Sequence, residues 1–318
     1  MLAFYLISCQ SRGLNLAKYS EKTFFRLSFL LRGKCLRPQD KEKTVIKPLN
    51  NQRRRDFADW IDACVPVSQQ REQSMQLQPL AGDAGFRRYF RLAGQPSLIA
   101  VDSPPDKENN PAYIAVAMAF QRQGITTPKI LAVDFSHGFL LLEDFGYQLL
   151  HAQLLAGVLA EEDSPERLSA ANYYHQAEAV LLAIQTVAAD PRVFSAYDQQ
   201  RLQVEMDLFT DWFVGRLLGI SLLDHEREML SQLFTVLIDS AVSQPQVVVH
   251  RDYHSRNLML LEDGALGVID FQDAVIGPIT YDLVSLLKDC YLRLPEEQVI
   301  ARALAYKKRL EAELAIGS

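Results

Sequence analysis

The chain has 318 residues, 48% of them hydrophobic and 23% charged, and a net charge of −6. That size and balance bury a sizeable core, enough for two lobes, and no apolar run is long enough to span a bilayer, which excludes stable membrane insertion. Residues 1–55 hold 13 Lys/Arg against 3 Asp/Glu, a local +10, so the rest carries −16, and a body that acidic argues against a nucleic-acid partner.

Residues 1–50 form a basic extension whose patterning does not match the rest of the chain, and they are expected to lie outside the fold. Three readings of them stay open: a disordered or weakly helical appendage, a membrane-surface or targeting arm suggested by the mixed cationic and apolar residues of 22–34, and a translated upstream region. In 54–65 the apolar residues Phe57, Trp60, Ile61 and Cys64 fall at helical spacing, and Pro66 ends the run. The period then changes to two. Residues 75–81, 85–92 and 97–102 are predicted as three antiparallel strands, with turns at 82–84 and 94–96. Gly82 and Gly85 in the first turn permit close backbone approach to a phosphate, to which the amides of 83–86 can donate. On the second strand Arg87 and Arg91 share one face and Arg88 takes the other.

Residues 111–124 are predicted as a helix with proline in its first turn and Gly124 as its cap. Strands follow at 130–133 and 138–142, the second running into Glu143-Asp144-Phe145-Gly146, a hinge whose unpaired backbone groups suit an adenine, with Leu140 and Leu142 as apolar walls. From 147 to 243 the pattern is helical, with helices expected at 164–189, at 198–219 and from 224. On the second of these Val204, Leu208, Phe209, Trp212, Phe213 and Leu217 are placed on the apolar side. The four cysteines (Cys9, Cys35, Cys64, Cys290) are scattered without metal spacing, which suits free thiols in the cytoplasm.

The stretch His250-Arg251-Asp252-Tyr253-His254-Ser255-Arg256-Asn257 comes after a short apolar strand at 247–249. It leads into a hairpin, 258–261 and 265–269, that ends at Asp270-Phe271-Gln272-Asp273. The order His-x-Asp-x-x-x-x-Asn is that of the protein-kinase catalytic loop, and Asp270-Phe271 stands where those enzymes have Asp-Phe-Gly. In that reading Asp252 orients the acceptor hydroxyl and takes its proton, while Asn257 and Asp270 hold the Mg2+ that bridges the phosphates of ATP. His250 joins Asp252 in the catalytic set, as an organiser of the loop more than a titrating group. Asp282, in the first turn of a helix after Gly277-Pro278, interacts favourably with the helix dipole. A last helix is expected from Pro295 to about residue 314.

The catalytic loop, the Asp270 run and Gly277-Pro278-x-x-Tyr281-Asp282-Leu283 resemble the aminoglycoside-phosphotransferase and choline-kinase superfamily. The runs Phe86-Arg87-Arg88-Tyr89-Phe90-Arg91 and 281–291 are similar to one group within it, the bacterial N-acetylmuramate/N-acetylglucosamine kinases, across residues 53–314. The resemblance implies an α+β, bilobal protein-kinase-like fold: an antiparallel-sheet N-lobe at 51–145 and a mainly helical C-lobe at 146–318. It implies that the turn with Gly82 and Gly85 covers phosphates, that Glu143 and Phe145 flank the nucleotide, and that Asp282 braces the catalytic loop. The acceptor pocket falls in the helical insert, where Glu205, Asp211 and Trp212 are candidates, readable equally as solvated acids and a core tryptophan.

The sequence departs from the kinase pattern in one place. The third strand lacks the lysine that holds the α- and β-phosphates, Val101 occupies its position, and Arg88 or Lys107 is expected to supply the charge. The resemblance also implies a further segment after 314, so that the stop at Ser318 suggests a shortened chain. The implied activity is ATP-dependent phosphorylation, by a monomer, of the anomeric hydroxyl of a cell-wall amino sugar. A kinase of another hydroxylated acceptor (aminoglycoside, choline or homoserine) and a non-catalytic nucleotide-binding protein are the alternatives.

Overall fold

The structure, a computed structural model, describes residues 51–65, 77–80, 86–92 and 97–313. The expectations for residues 1–50 and for the turn carrying Gly82 and Gly85 lie outside the described residues. Helix α1 (Asn51–Cys64) buries Phe57 and Ile61, four residues apart and so on one side. It lies on the outer face of a five-stranded sheet: β1 (Leu77–Pro79), β2 (Arg88–Leu92), β3 (Leu98–Asp102), β4 (Ile130–Asp134) and β5 (Phe139–Glu143). The strand order is β1-β2-β3-β5-β4, and every pair is antiparallel. The Phe57 ring meets Phe90 and Phe139 at 5.6 and 4.9 Å between centroids, which fixes that face as the one under α1.

Alternation sends Ile99, Val101, Leu140 and Leu142 to the opposite face, where they join the core with helix α2 (Asn110–Arg122). Asn109 caps α2 by accepting from the Ala112 amide at 3.1 Å, and Pro111 sits in its first turn. Gly124 ends it in the left-handed region at φ 78°. The β4–β5 turn requires Gly138, at φ 72°, because a Cβ there would strike the Ser103 carbonyl.

The C-lobe begins with α3 (Leu150–Leu159) and the long α4 (Pro165–Gln185), capped by Ser164, whose side chain accepts from Arg167. Tyr174, Ala177, Leu181 and Leu182 bury one side of α4. Short strand β6 (Ser195–Ala196), α5 (Gln199–Leu208), α6 (Asp224–Val242) and β7 (Gln246–Val249) follow. Hairpin β8 (Leu258–Leu260) and β9 (Leu266–Val268), then β10 (Val275–Pro278), α7 (Tyr281–Leu287) and α8 (Glu296–Glu313) complete it. Strand β10 lies between β6, parallel, and β7, antiparallel. The core is continuous between the lobes, since Tyr113 and Phe120 of α2 lie 5.0 and 5.8 Å from the Phe271 ring. The expected α+β bilobal architecture is the one observed.

The insert differs from expectation. Helix α4 stops at Gln185, β6 interrupts the helical run, and the predicted 198–219 helix is α5 followed by a wider coil over Phe209–Leu217. In that coil Leu218 donates to the Phe213 carbonyl, five residues back, at 3.0 Å. The expected apolar face is only partly the buried one: Phe209 and Phe213 are half-buried and stack at 5.3 Å, whereas Val204, Leu208, Trp212 and Leu217 are exposed, Trp212 by 54%, and Leu202, Met206 and Val214 are buried instead. The segment carries two apolar stripes, and periodicity alone does not choose between them.

Candidate active site

Buried Val248 and Val249 of β7 deliver the chain to His250. Two non-glycine residues of the site, Arg251 (φ 77°) and Asp270 (φ 62°), sit in the left-handed region, a conformation that persists only where surrounding contacts enforce it. The contacts are visible. Asp282, fully buried at the start of α7, accepts hydrogen bonds from the backbone amides of His250 (2.6 Å) and Arg251 (3.0 Å). Asp289 accepts from the Ser255 amide at 3.0 Å and from its hydroxyl. Two buried acids thus hold two points of one loop.

His250 belongs to the same support. Its Nε2 lies 3.0 Å from the Ile269 carbonyl and its Nδ1 accepts from the Asp252 amide at 3.3 Å. Burial lowers it to about 4, so the ring is neutral near pH 7 and tied to backbone at both nitrogens. It ties the loop to the hairpin, the organising part expected of it, and both its nitrogens are taken by backbone.

The Asn257 Nδ2 donates to the Asp252 carbonyl at 2.9 Å and lies 3.5 Å from Asp270 Oδ2; Gln272 donates to the other oxygen of Asp270 at 2.6 Å. Asp252 has one side open to solvent, yet the walls around it, and after them the Asp270 carboxylate, hold it above the usual carboxylate range. A divalent cation fits this donor set. Two acids repel across a site that also carries a carboxamide, and hard oxygen donors of these kinds hold Mg2+ while phosphates and water complete its shell.

At the hinge, Asp144 is clamped by Arg91 through Nε (2.5 Å) and Nη2 (2.8 Å) and by the Ser97 hydroxyl (2.7 Å), and Arg91 also donates to the Gly146 carbonyl at 2.6 Å. Arg91 and Tyr147 stack at 3.6 Å. Phe145 lies so close over Gly267 of β9 that a Cβ there would enter its ring, which sets the hinge against the C-lobe hairpin. At Glu143 the amide donates to the Lys129 carbonyl at 2.9 Å and the carboxylate accepts from the Lys129 amide at 3.2 Å. Leu140 and Leu142 are buried in the core behind it.

Of the acceptor candidates, the structure brings Glu205 alone to the catalytic loop, where it accepts from Arg251 at 2.9 Å. The second oxygen of Glu205 is buried there, and the Tyr197 hydroxyl is buried beside Glu205 and Tyr281. Asp211 and Trp212 face solvent, the indole covered on one side by Arg216 at 3.9 Å. Arg88 is corrected too: it pairs with Asp102 at 2.5 Å on the outer sheet face, beneath α1, where Arg53 meets the same acid. Lys107 is exposed beside Asp106. Sequence reasoning missed Tyr197, Asp289 and the Arg91–Asp144 clamp. The one available signal was the alternation that puts Arg91 on the face opposite Arg88.

Residues 76–316 match the Phosphotransferase enzyme family. The chain is 38% identical over 256 residues to an N-acetylmuramate/N-acetylglucosamine kinase of Pseudomonas aeruginosa, across 79% of this chain and 72% of that protein. A protein of the same description from Pseudomonas putida is 38% identical over 70% of this chain and 62% of its own length. One from Neisseria meningitidis is 34% identical over 82% and 74%. Among solved structures, an ADP-bound aminoglycoside phosphotransferase superposes with a TM-score of 0.53 at 15% identity, over 84% of this chain and 85% of that one. A Plasmodium vivax ethanolamine kinase does so at 0.52 and 13% identity, over 86% and 82%. These two likenesses concern the fold.

Proposed function

This chain belongs to the phosphotransferase enzyme family, and we propose that it transfers the γ-phosphoryl group of ATP to the anomeric hydroxyl of N-acetylmuramate or N-acetylglucosamine. The observation that carries the reading is the cluster of Asp252, Asn257 and Asp270 on a loop pinned by Asp282. The acceptor follows from the relatives, whose descriptions name those two sugars.

Asp252 lines up the acceptor hydroxyl and takes its proton as the new phosphate ester bond forms and ADP leaves. Its raised pKa brings it nearer to neutrality and makes it a stronger base than an ordinary carboxylate, though it works only while ionised. Asn257 and Asp270 are the residues to hold Mg2+, which when bound neutralises charge on the transferring group. Positioning and electrostatics supply the rest of the acceleration. The adenine lies against the hinge at 144–146, whose shape the Arg91–Asp144 clamp fixes. Glu205, which sits beside Tyr197 and Arg251 at the catalytic loop, is the acid to accept a sugar hydroxyl. Among the described residues no helix is long and apolar enough to cross a membrane.

The test is ADP release from Mg-ATP with N-acetylmuramate, N-acetylglucosamine, choline, homoserine and kanamycin offered separately. The expected result is release with the amino sugars only, yielding an acid-labile 1-phosphate. Release with another acceptor keeps the mechanism and replaces the substrate. No release with any of the five rejects the reading.

A further inference from the structure

The phosphates of ATP are strongly anionic and this body of the chain is acidic, so a local cation is needed beside the metal. Strand β3 does not give one, because Val101 fills that place and is buried. The run 87–91, at the start of β2, holds three arginines in five residues, and its alternation sorts them. Arg88 faces outward and pairs with Asp102. Arg91 faces inward, and both its Nε and one terminal nitrogen are committed to Asp144 at the hinge.

Arg87 is also on the inner side, one residue before β2. Its Nη2 lies 3.1 Å from Glu108 Oε2, and its guanidinium carbon lies 5.3 Å from the centre of the Tyr113 ring. That ring stacks on Phe271, the residue after the metal-site candidate Asp270, at 5.0 Å. One aromatic side chain therefore links Arg87 to the catalytic end of the cleft. The other oxygen of Glu108 accepts from the Phe86 amide at 3.0 Å, so a single carboxylate holds both the arginine and the backbone next to it.

We propose that Arg87 is the cation that binds the phosphates of ATP, in the role a third-strand lysine plays in other kinases, with Glu108 as its positioning residue. The guanidinium carries five N–H donors in a planar fork, so a bond to Glu108 leaves others for phosphate oxygens. This proposal rests on the ATP reading above.

The experiment is calorimetric titration of the full chain with Mg-ATP and, separately, with adenosine, which lacks phosphates. Arg87→Met is expected to weaken Mg-ATP about 10- to 100-fold, the loss of a charged hydrogen bond, and to leave adenosine unchanged. Arg87→Lys, which keeps the charge, should recover part of the loss, and Lys107→Met should change neither ligand. Equal effects on both ligands, or none, overturn the assignment, as does a loss of Mg-ATP binding in Lys107→Met. A wild-type chain that binds no Mg-ATP overturns the ATP reading along with it, whereas wild-type binding retained in Arg87→Met overturns this assignment alone.

Discussion

Residues 250–289 and the insert at 199–223 lie against each other through the Arg251–Glu205 pair, and they spend their side chains in opposite ways. The first stretch buries polar groups, with Asp282, Asp289, His250 and Ser255 all sealed from solvent and turned onto loop backbone. The second exposes apolar ones, among them Val204, Leu208, Trp212 and Leu217. Burying an acid is costly unless its oxygens are satisfied, and here loop amides satisfy them, one of them that of Arg251, which is held in left-handed backbone beside Asp252. The loop is thus shaped for function at the expense of stability, and the insert has much less riding on each side chain. Substitutions at four positions test that contrast.

The largest effect belongs to Asp252→Asn. Its carboxylate supports no other part of the described structure, so kcat should fall about 10³-fold while the melting temperature stays within error. Because Asp252 is held above the usual carboxylate range, wild-type kcat should fall as pH drops through that raised value, and a pH–rate profile reads it. Unchanged turnover in the variant would remove Asp252 from the chemistry.

Asp282→Ala comes next, by stability. It leaves the buried amides of His250 and Arg251 without acceptors, at roughly 1–3 kcal/mol each, so a loss of about 3 kcal/mol is expected in urea unfolding. The pH dependence has a definite sign. Burial pushes Asp282 up to about 7 against the pull of the two amides, while its unfolded value is about 3.9. Between those values the folded chain binds the extra proton, so stability falls as pH rises through the window and levels off above it. Asp282→Asn does not titrate, and the wild type's advantage over it should shrink as pH rises from about 5 to about 7. A constant gap would show that Asp282 stays ionised throughout.

The contrast also explains what could be read in the sequence. Asp252, Asn257 and Asp270 fall within one contiguous segment, so their spacing alone describes the cluster, and the hairpin between them needs no distant partner. The sheet lobe was legible for a similar reason, since period-two runs separated by turns pair with their neighbours. Arg87 and Arg88 show the limit. Alternation puts them on opposite faces, but only the docking of α1 through Phe57 decides which face is outer, and that contact lies about 30 residues away in sequence. The insert was hardest: stripes through Leu202 and Met206 and through Val204 and Leu208 both have helical spacing, and the wider coil after Leu208 breaks the count.

Glu205→Gln sharpens the boundary between the two regions. It keeps the side chain's size and a hydrogen-bonding oxygen but removes the charge facing Arg251 and the proposed sugar hydroxyl. An approximately tenfold rise in acceptor KM is expected, with kcat and the KM for ATP little changed, the size of one weakened charged hydrogen bond. A fall in kcat with acceptor KM unchanged would make Glu205 a support for Arg251 and not an acceptor contact.

The smallest effect is expected at Trp212, and it bears most directly on the comparison. In a core, losing an indole costs about 3–5 kcal/mol. Here 54% of the residue is exposed and its one notable partner is Arg216, stacked at 3.9 Å, a contact that at an exposed site contributes about 0.5–1 kcal/mol. Trp212→Gln keeps a long side chain over Arg216, so the unfolding free energy should change by less than about 1 kcal/mol and acceptor KM not at all. A loss near the core value would mean that the outward stripe is covered in solution, and the insert would then depend on its apolar residues as heavily as the loop depends on its acids. A rise in acceptor KM at unchanged stability would mean that the indole reaches the sugar during turnover and that Glu205 is not the insert's sole contribution to the site.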